Sequence, residues 1–153
     1  MMSFDEVYAR YADCVYSFLR FKLNDEYLIE EIMQETFLAV YRSLDKCKNV
    51  QSAKAWILTI AHHKLVDHLR RAKHKEVALD QNIRVEESPS DLTIKEILSQ
   101  LDAVSATIIY GLYVEQFTCE ELAGILGIPV GTVKSKAYTA RARLRSWLKG
   151  VEQ

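Results

Sequence analysis

Apolar residues recur along this chain at helical spacing, and no segment shows the strict alternation of a strand. Phe4, Val7, Tyr8, Tyr11, Val15, Phe18 and Leu19 predict an opening amphipathic helix with its tyrosines at the edge of a core, interrupted at Asn24-Asp25-Glu26. Ile29, Ile32, Met33, Phe37, Val40, Tyr41 and Leu44 give the cleanest period in the sequence. A loop from Asp45 to Ser52 leads into a third helix, with Ser52 placed to cap it and Ile57, Ile60, Ala61, Leu65 and Leu69 as its buried stripe. Residues 74–92, HKEVALDQNIRVEESPSDL, sustain no period and contain Ser88-Pro89-Ser90, which reads as a linker. Beyond it Ile94, Ile97, Leu98 and Leu101 begin another helix, and Val104, Ile108, Ile109, Leu112 and Tyr113 a further one. The expectation is an all-α fold. Two small helical domains, residues 1–75 and 93–153, are joined by a flexible linker over 76–92.

The stretch TCEELAGILGIPVGTVKSKAYTARARLRSWL, from Thr118 to Leu148, is the most specific in the chain. Thr118 with Glu121 three residues later is a capping box, which satisfies the first free amides of a helix. Leu122, Ala123, Ile125 and Leu126 make that helix short and apolar. Gly127 falls where a residue of positive φ ends it, and Pro129 stops it from continuing. A second helix starts near Val130, with Val133, Ala137, Ala140, Leu144, Trp147 and Leu148 as its apolar stripe. Two helices joined by so short a Gly-containing turn form a helix-turn-helix, whose second helix typically enters the major groove. On that helix Ser135, Tyr138, Thr139 and Ala142 face away from the stripe. Lys134, Arg141 and Arg145 flank them on one side, and Lys136 and Arg143 on the other. No acid interrupts Val130 to Val151. Small polar and aromatic groups can read base edges while bracketing cations hold phosphates. A two-helix corner with a solvated basic face is the plainer alternative, and the agreement of cap, turn and acid-free helix favours DNA binding.

Charge sharpens the picture. The net charge is only −1, yet residues 76–93 carry one basic and five acidic groups, which leaves the cations clustered at 62–75 and 134–149. For nucleic acid the distribution matters more than the sum. No apolar run approaches the ~20 residues of a membrane span, and the start MMSFDE is unlike a signal peptide. A cytoplasmic protein is expected. Cys14, Cys47 and Cys119 lack the C-x-x-C spacing of a zinc or redox site and read as reduced thiols.

Two faces of the first domain carry candidate chemistry. Opposite the stripe of the second helix stand Glu31, Gln34, Glu35, Leu38 and Arg42. Leu38 among acids suits either a partner-docking spot or a lone surface leucine. On or beside the outer face of the third helix lie Trp56, Thr59, His63, Lys64, Asp67, Arg70 and Arg71. Trp56 near cations suits stacking on an unpaired base or a place in the core. All four histidines, His62, His63, His68 and His74, fall here. H-H-x4-H is not a zinc spacing, so no metal site is expected, and the histidines are read as supplementing a basic nucleic-acid face. With no nucleophile–base pair, phosphate-cradling loop or cofactor motif, neither an enzyme activity nor a cofactor is expected.

Together these motifs resemble those of the extracytoplasmic-function (ECF, group IV) sigma factors of bacterial RNA polymerase. EEIMQETFLAVYRSLDKCKNVQSAKAWILTIAHHKLVDHLRR is similar to the family's second conserved region, and LDAVSATIIYGLYVEQFTCEELAGILGIPVGTVKSKAYTARARLR to its fourth. The resemblance implies a promoter-specificity subunit whose partners are core RNA polymerase (the β′ clamp helices and β flap), promoter DNA and an anti-sigma factor. By position, Glu31, Gln34, Glu35 and Leu38 would grip the β′ clamp helices, which favours docking for Leu38. Lys48, Asn49, Gln51, Ser52, Trp56, His63, Lys64, Arg70 and Arg71 would engage and melt the −10 element. Thr132, Lys134, Ser135, Lys136, Tyr138, Thr139, Arg141 and Arg143 would read or hold the −35 element. The chain departs from the family at His62-His63, often Arg-Asn, and at Ala106-Thr107, where an Arg is usual. It also has Lys136 in place of an Arg, which keeps charge but loses bidentate geometry. A stand-alone operator-binding regulator is the other reading. It would bind duplex without polymerase.

Overall fold

The computed structural model describes residues 3–47, 52–74 and 94–151, and all regular structure among them is helical. The chain divides into two compact units, Met1–Glu86 and Glu87–Gln153. The expected linker over 76–92 lies outside the described residues, as do Lys48, Asn49 and Gln51.

In the first unit helices α1 (Phe4–Lys22), α2 (Glu26–Arg42), the single turn α3 (Leu44–Cys47) and α4 (Ala53–His74) follow in order. Each long helix begins on a side-chain cap. The Ser3 hydroxyl accepts from the Glu6 amide, and the Asp25 carboxylate accepts from the Tyr27 and Leu28 amides. The Ser52 hydroxyl accepts from the Ala55 amide at 3.1 Å, as its position before the apolar run predicts. Helices α1, α2 and α4 pack on one another and bury Val7, Val15, Leu19, Ile29, Ile32, Val40, Ile57, Leu58, Ala61 and Leu65 between them. The stripe predicted for α4 needs correction at both ends. Leu58 is fully buried, Ile60 is half-buried and Leu69 is exposed. The buried face is therefore rotated toward Leu58, because α1 and α2 both press on α4 and cover a wider arc than a single apolar stripe marks.

The second unit comprises α5 (Ile94–Leu98), α6 (Ala103–Tyr113), α7 (Cys119–Leu126) and α8 (Val130–Val151). Every residue of α6 from Ser105 to Gly111 is buried, the mark of a helix surrounded by its neighbours. It packs against α5, α7 and α8. A Cβ on Gly111 would overlap the side chain of the fully buried Leu122, so the close approach of α6 to α7 requires glycine there.

The helix-turn-helix forms as its local chemistry dictates. The Thr118 hydroxyl accepts from the Glu121 amide and the Glu121 carboxylate from the Thr118 amide, both at 3.0 Å. Gly127 closes α7 at φ 69° and ψ 33°, its amide donating to the Ala123 carbonyl. The Pro129 carbonyl then accepts from Val133 to start α8. The apolar stripe of α8 is covered only along its first half. Val133, Ala137 and Ala140 are buried, whereas Leu144 and Trp147 are half-buried and Leu148 is exposed. The helix runs past the unit it packs on.

Candidate functional site

Three buried small residues decide what α8 offers. Because Val133, Ala137 and Ala140 face inward, Lys134, Ser135, Tyr138, Thr139, Arg141 and Arg143 stand exposed, with Thr132 and Lys136 half-buried at the margins. Tyr138 is 74% exposed, more than packing within the unit would ask of an aromatic ring. The Ser135 hydroxyl donates to the Thr132 carbonyl at 3.2 Å, so it is oriented before any ligand arrives. Arg141 donates through Nη1 to the Tyr113 hydroxyl at 3.2 Å, which props this cation against the end of α6. The Asp102 carboxyl is held below the usual carboxylate range, first by its hydrogen bond to Ser105 and to a lesser degree by the charge of Lys136. Part of the field of Lys136 is thereby answered within the unit.

On α2 the inward turn of Ile29, Ile32, Thr36, Phe37 and Val40 leaves Glu31, Gln34 and Leu38 exposed on a single ridge, Leu38 at 48%. Two exposed tyrosines share this ridge, Tyr27 before Glu31 and Tyr41 after Leu38; Tyr27 had no expected role, and Tyr41, expected in the apolar stripe of this helix, is corrected to the outer face. Tyr41 is braced edge-on by Phe4 of α1, with ring centroids 5.3 Å apart, and beside it Tyr8 meets Phe37 at 4.8 Å. Their spacing at i, i+4, i+7 and on toward i+14 was visible in the sequence. Only packing reveals that they face outward.

Glu35 differs from its neighbours. Its carboxylate meets Nε2 of His68, on α4, at 2.6 Å. The His68 side chain is only 13% exposed and that of Glu35 38%. With Glu31 these residues bring three ligand atoms within 4.8 Å of one another, the one set among the described residues that could approach a metal ion. Two carboxylates and one imidazole make a sparse set, and a hydrogen bond already joins two of the three.

Trp56, His63, Lys64, Arg70 and Arg71 share a band of roughly 120° on α4 at 100° per residue. His63, Arg70 and Arg71 are exposed, while Trp56 and Lys64 are half-buried. Arg70 pairs with Asp67 at 3.0 Å. The expectation that the histidines supplement this band is corrected for two of them. His68 turns toward α2. His62 lies half-buried, its ring 6.4 Å from that of Phe18, with Nδ1 buried and without a hydrogen-bond partner. Burial pushes His62 down to about 4, helped by the charges of Lys22 and His63. The His74 side chain is outside the described residues. Among the histidines whose side chains are described, only His63 stands in the band as expected. The reason is periodicity: six residues separate His62 from His68, and helical rotation sends them to different sides of α4.

Known proteins carry the same two-part pattern. The Sigma-70 region 2 family model matches residues 7–75, and the Sigma-70, region 4 model matches residues 91–144. The ECF RNA polymerase sigma factor SigM of Bacillus subtilis is 29% identical over 159 residues, covering 95% of this chain and 94% of its own length. SigL of Mycobacterium tuberculosis, also an ECF RNA polymerase sigma factor, is 31% identical over 127 residues, 76% of this chain and 72% of its own. Among solved structures, the sigma factor RpoE of Bartonella quintana, crystallised with the anti-sigma factor NepR, superposes with a TM-score of 0.79 at 21% identity. It covers 95% of this chain and 96% of that one. CnrH in complex with the cytosolic domain of CnrY gives 0.68 at 25% identity, over 96% and 88%. With the family's two regions matched in order, each on a helical unit of its own, the chain belongs to the ECF sigma factors, which bind RNA polymerase and recognise promoters.

Proposed function

We propose that this sigma factor divides its work between two functional parts, residues 1–75 and 93–153, with the acidic segment 76–92 as linker. The ridge of Glu31, Gln34, Glu35 and Leu38 docks on the β′ clamp helices of core polymerase. The band of Trp56, His63, Lys64, Arg70 and Arg71, with Lys48, Asn49, Gln51 and Ser52 before it, binds and melts the −10 element. There an unpaired base is taken from the stack at the cost of a few kcal/mol. Helix α8 reads the −35 element through Lys134, Ser135, Tyr138 and Thr139 and holds phosphates through Lys136, Arg141 and Arg143, with Thr132 at the helix entry. The second unit also meets the β flap. The protein supplies specificity and the polymerase supplies the chemistry, which places its work in the cytoplasm. An anti-sigma factor is a further partner, by analogy with the RpoE–NepR and CnrH–CnrY complexes.

The observation that carries this reading is the exposed, acid-free ridge of α8 held on a buried Val133-Ala137-Ala140 seam. Co-purification of the wild type and of Glu35→Lys with Leu38→Ala against core polymerase tests the docking face. Binding by the wild type and its loss in the double variant supports the assignment. If neither protein binds polymerase while both still shift duplex DNA, the chain is a free-standing regulator.

A further inference from the structure

One contact in the first unit joins two surfaces that the proposed function treats separately. Glu35 belongs to the outward ridge of α2, and His68 belongs to α4, the helix that carries the −10 band. Their side chains meet at 2.6 Å, and the imidazole is almost wholly covered. Such a bond is partly shielded from water, which strengthens it and restricts its geometry. A glutamate on an exposed helix ridge otherwise samples several rotamers, and binding must freeze them. Neighbouring Gln34 is exposed, and so is Glu31, whose carboxylate comes within 4.8 Å of the same pair from the solvent side.

We propose that His68 is a positioning residue for polymerase binding. It holds the Glu35 carboxylate in one rotamer, so that one oxygen is engaged by the imidazole while the other faces the partner. This rests on the reading of Glu35 as a polymerase contact and adds a residue to it from another helix. The side chain is ordered before the partner arrives, and the cost of ordering it no longer falls on association. Because the anchor stands on α4, a displacement of α4 on promoter DNA would also loosen the polymerase contact.

The test is a double-mutant cycle on the full chain, measuring the dissociation constant for core RNA polymerase at low salt. Freeing one long side chain predicts that His68→Ala weakens binding by roughly 3- to 10-fold. His68→Gln, which keeps an N–H donor, should return most of that loss. In a Glu35→Ala background His68→Ala should change nothing further, because the histidine acts only through the glutamate. A merely structural role would give equal losses in both backgrounds, and that additive result overturns the proposal. So does wild-type affinity in His68→Ala when Glu35→Ala is impaired. Wild-type affinity in Glu35→Ala overturns the polymerase-contact reading itself, and this proposal with it. Should His68→Ala loosen the bundle, His68→Phe fills the space without a donor and is held to the same outcomes.

Discussion

The two units treat charge in opposite ways. The second keeps its cations outside an apolar core. Lys134, Arg141, Arg143 and Arg145 are exposed on α8, and α6 beneath them buries hydroxyls but no ionisable side chain other than Tyr110. The first unit draws ionisable groups inward where α1 meets α4. Burial pushes Lys22 down to about 8 and His62 down to about 4. A core closed by packing and caps is indifferent to pH over the neutral range, whereas one that covers a lysine and a histidine is not. The first unit should therefore be the condition-sensitive half of the molecule and the second the pH-indifferent half.

The largest test of that contrast removes core from the pH-indifferent half. Ile108 is fully buried in α6, and Ile108→Ala should cost the second unit about 2–5 kcal/mol. Unit-specific amide signals followed through thermal unfolding should show the second unit melting early and the first unchanged. A single transition that shifts as a whole would break the comparison, since the halves would then share one cooperative core.

Acid should strike the other half. An unfolded histidine titrates near 6.5 and His62 near 4. Between those values the unfolded chain holds a proton that the folded one lacks, so stability falls as pH drops from 6.5 to about 4. The expected loss is about 2 kcal/mol, after discounting the full shift for the water that reaches the ring. Lys22 adds a rise in stability between about 8 and 10.5, where the unfolded chain alone keeps the proton. In the second unit Asp102 is depressed from 3.8, so its contribution is lost only as pH falls below that value. Unfolding midpoints between pH 4 and 7 should move for the first unit and stay level for the second. His62→Leu should flatten the first unit's profile.

The same contrast explains what the sequence disclosed. Everything decisive in the helix-turn-helix is local: Thr118 and Glu121 are three residues apart, and Gly127 and Pro129 two. Chain chemistry at such range is set by backbone geometry alone, so cap, turn and outward face were all legible beforehand. In the first unit the informative contacts cross between helices. Glu35 and His68 are 33 positions apart, and Lys22 acts on His62 from another helix. Periodicity fixes which side of a helix a residue takes, but not which neighbour waits there. Helical rotation alone separates His68 from the basic band, but its partner Glu35 is visible only in the packed bundle, as is the burial of Leu58 rather than Leu69.

Local signals can be tested one at a time. Gly127 sits at φ 69° with open space around it, so Gly127→Ala meets no clash and isolates the backbone term. The left-handed conformation should cost about 1–2 kcal/mol in the second unit. If α8 makes the proposed −35 contact, binding of the full chain to duplex DNA should weaken only as far as the unit unfolds. A larger loss of binding than of stability would mean that the turn also sets the angle at which α8 is presented.

The smallest effect bears most directly on how the second unit is built. Thr118→Ala removes the hydroxyl that accepts from the Glu121 amide but leaves the Glu121 carboxylate able to accept from the amide of residue 118. Only half of the capping box is lost, and about 1 kcal/mol should go with it. Thr118→Ser, which keeps the hydroxyl, should behave as wild type in urea unfolding, and Glu121→Gln should retain both bonds at reduced strength. All three changes should appear in the second unit's transition alone. If Thr118→Ala proves neutral, α7 owes its start to the burial of Leu122 and Ile125 against α6 and α8, and the second unit is organised by tertiary packing as the first one is.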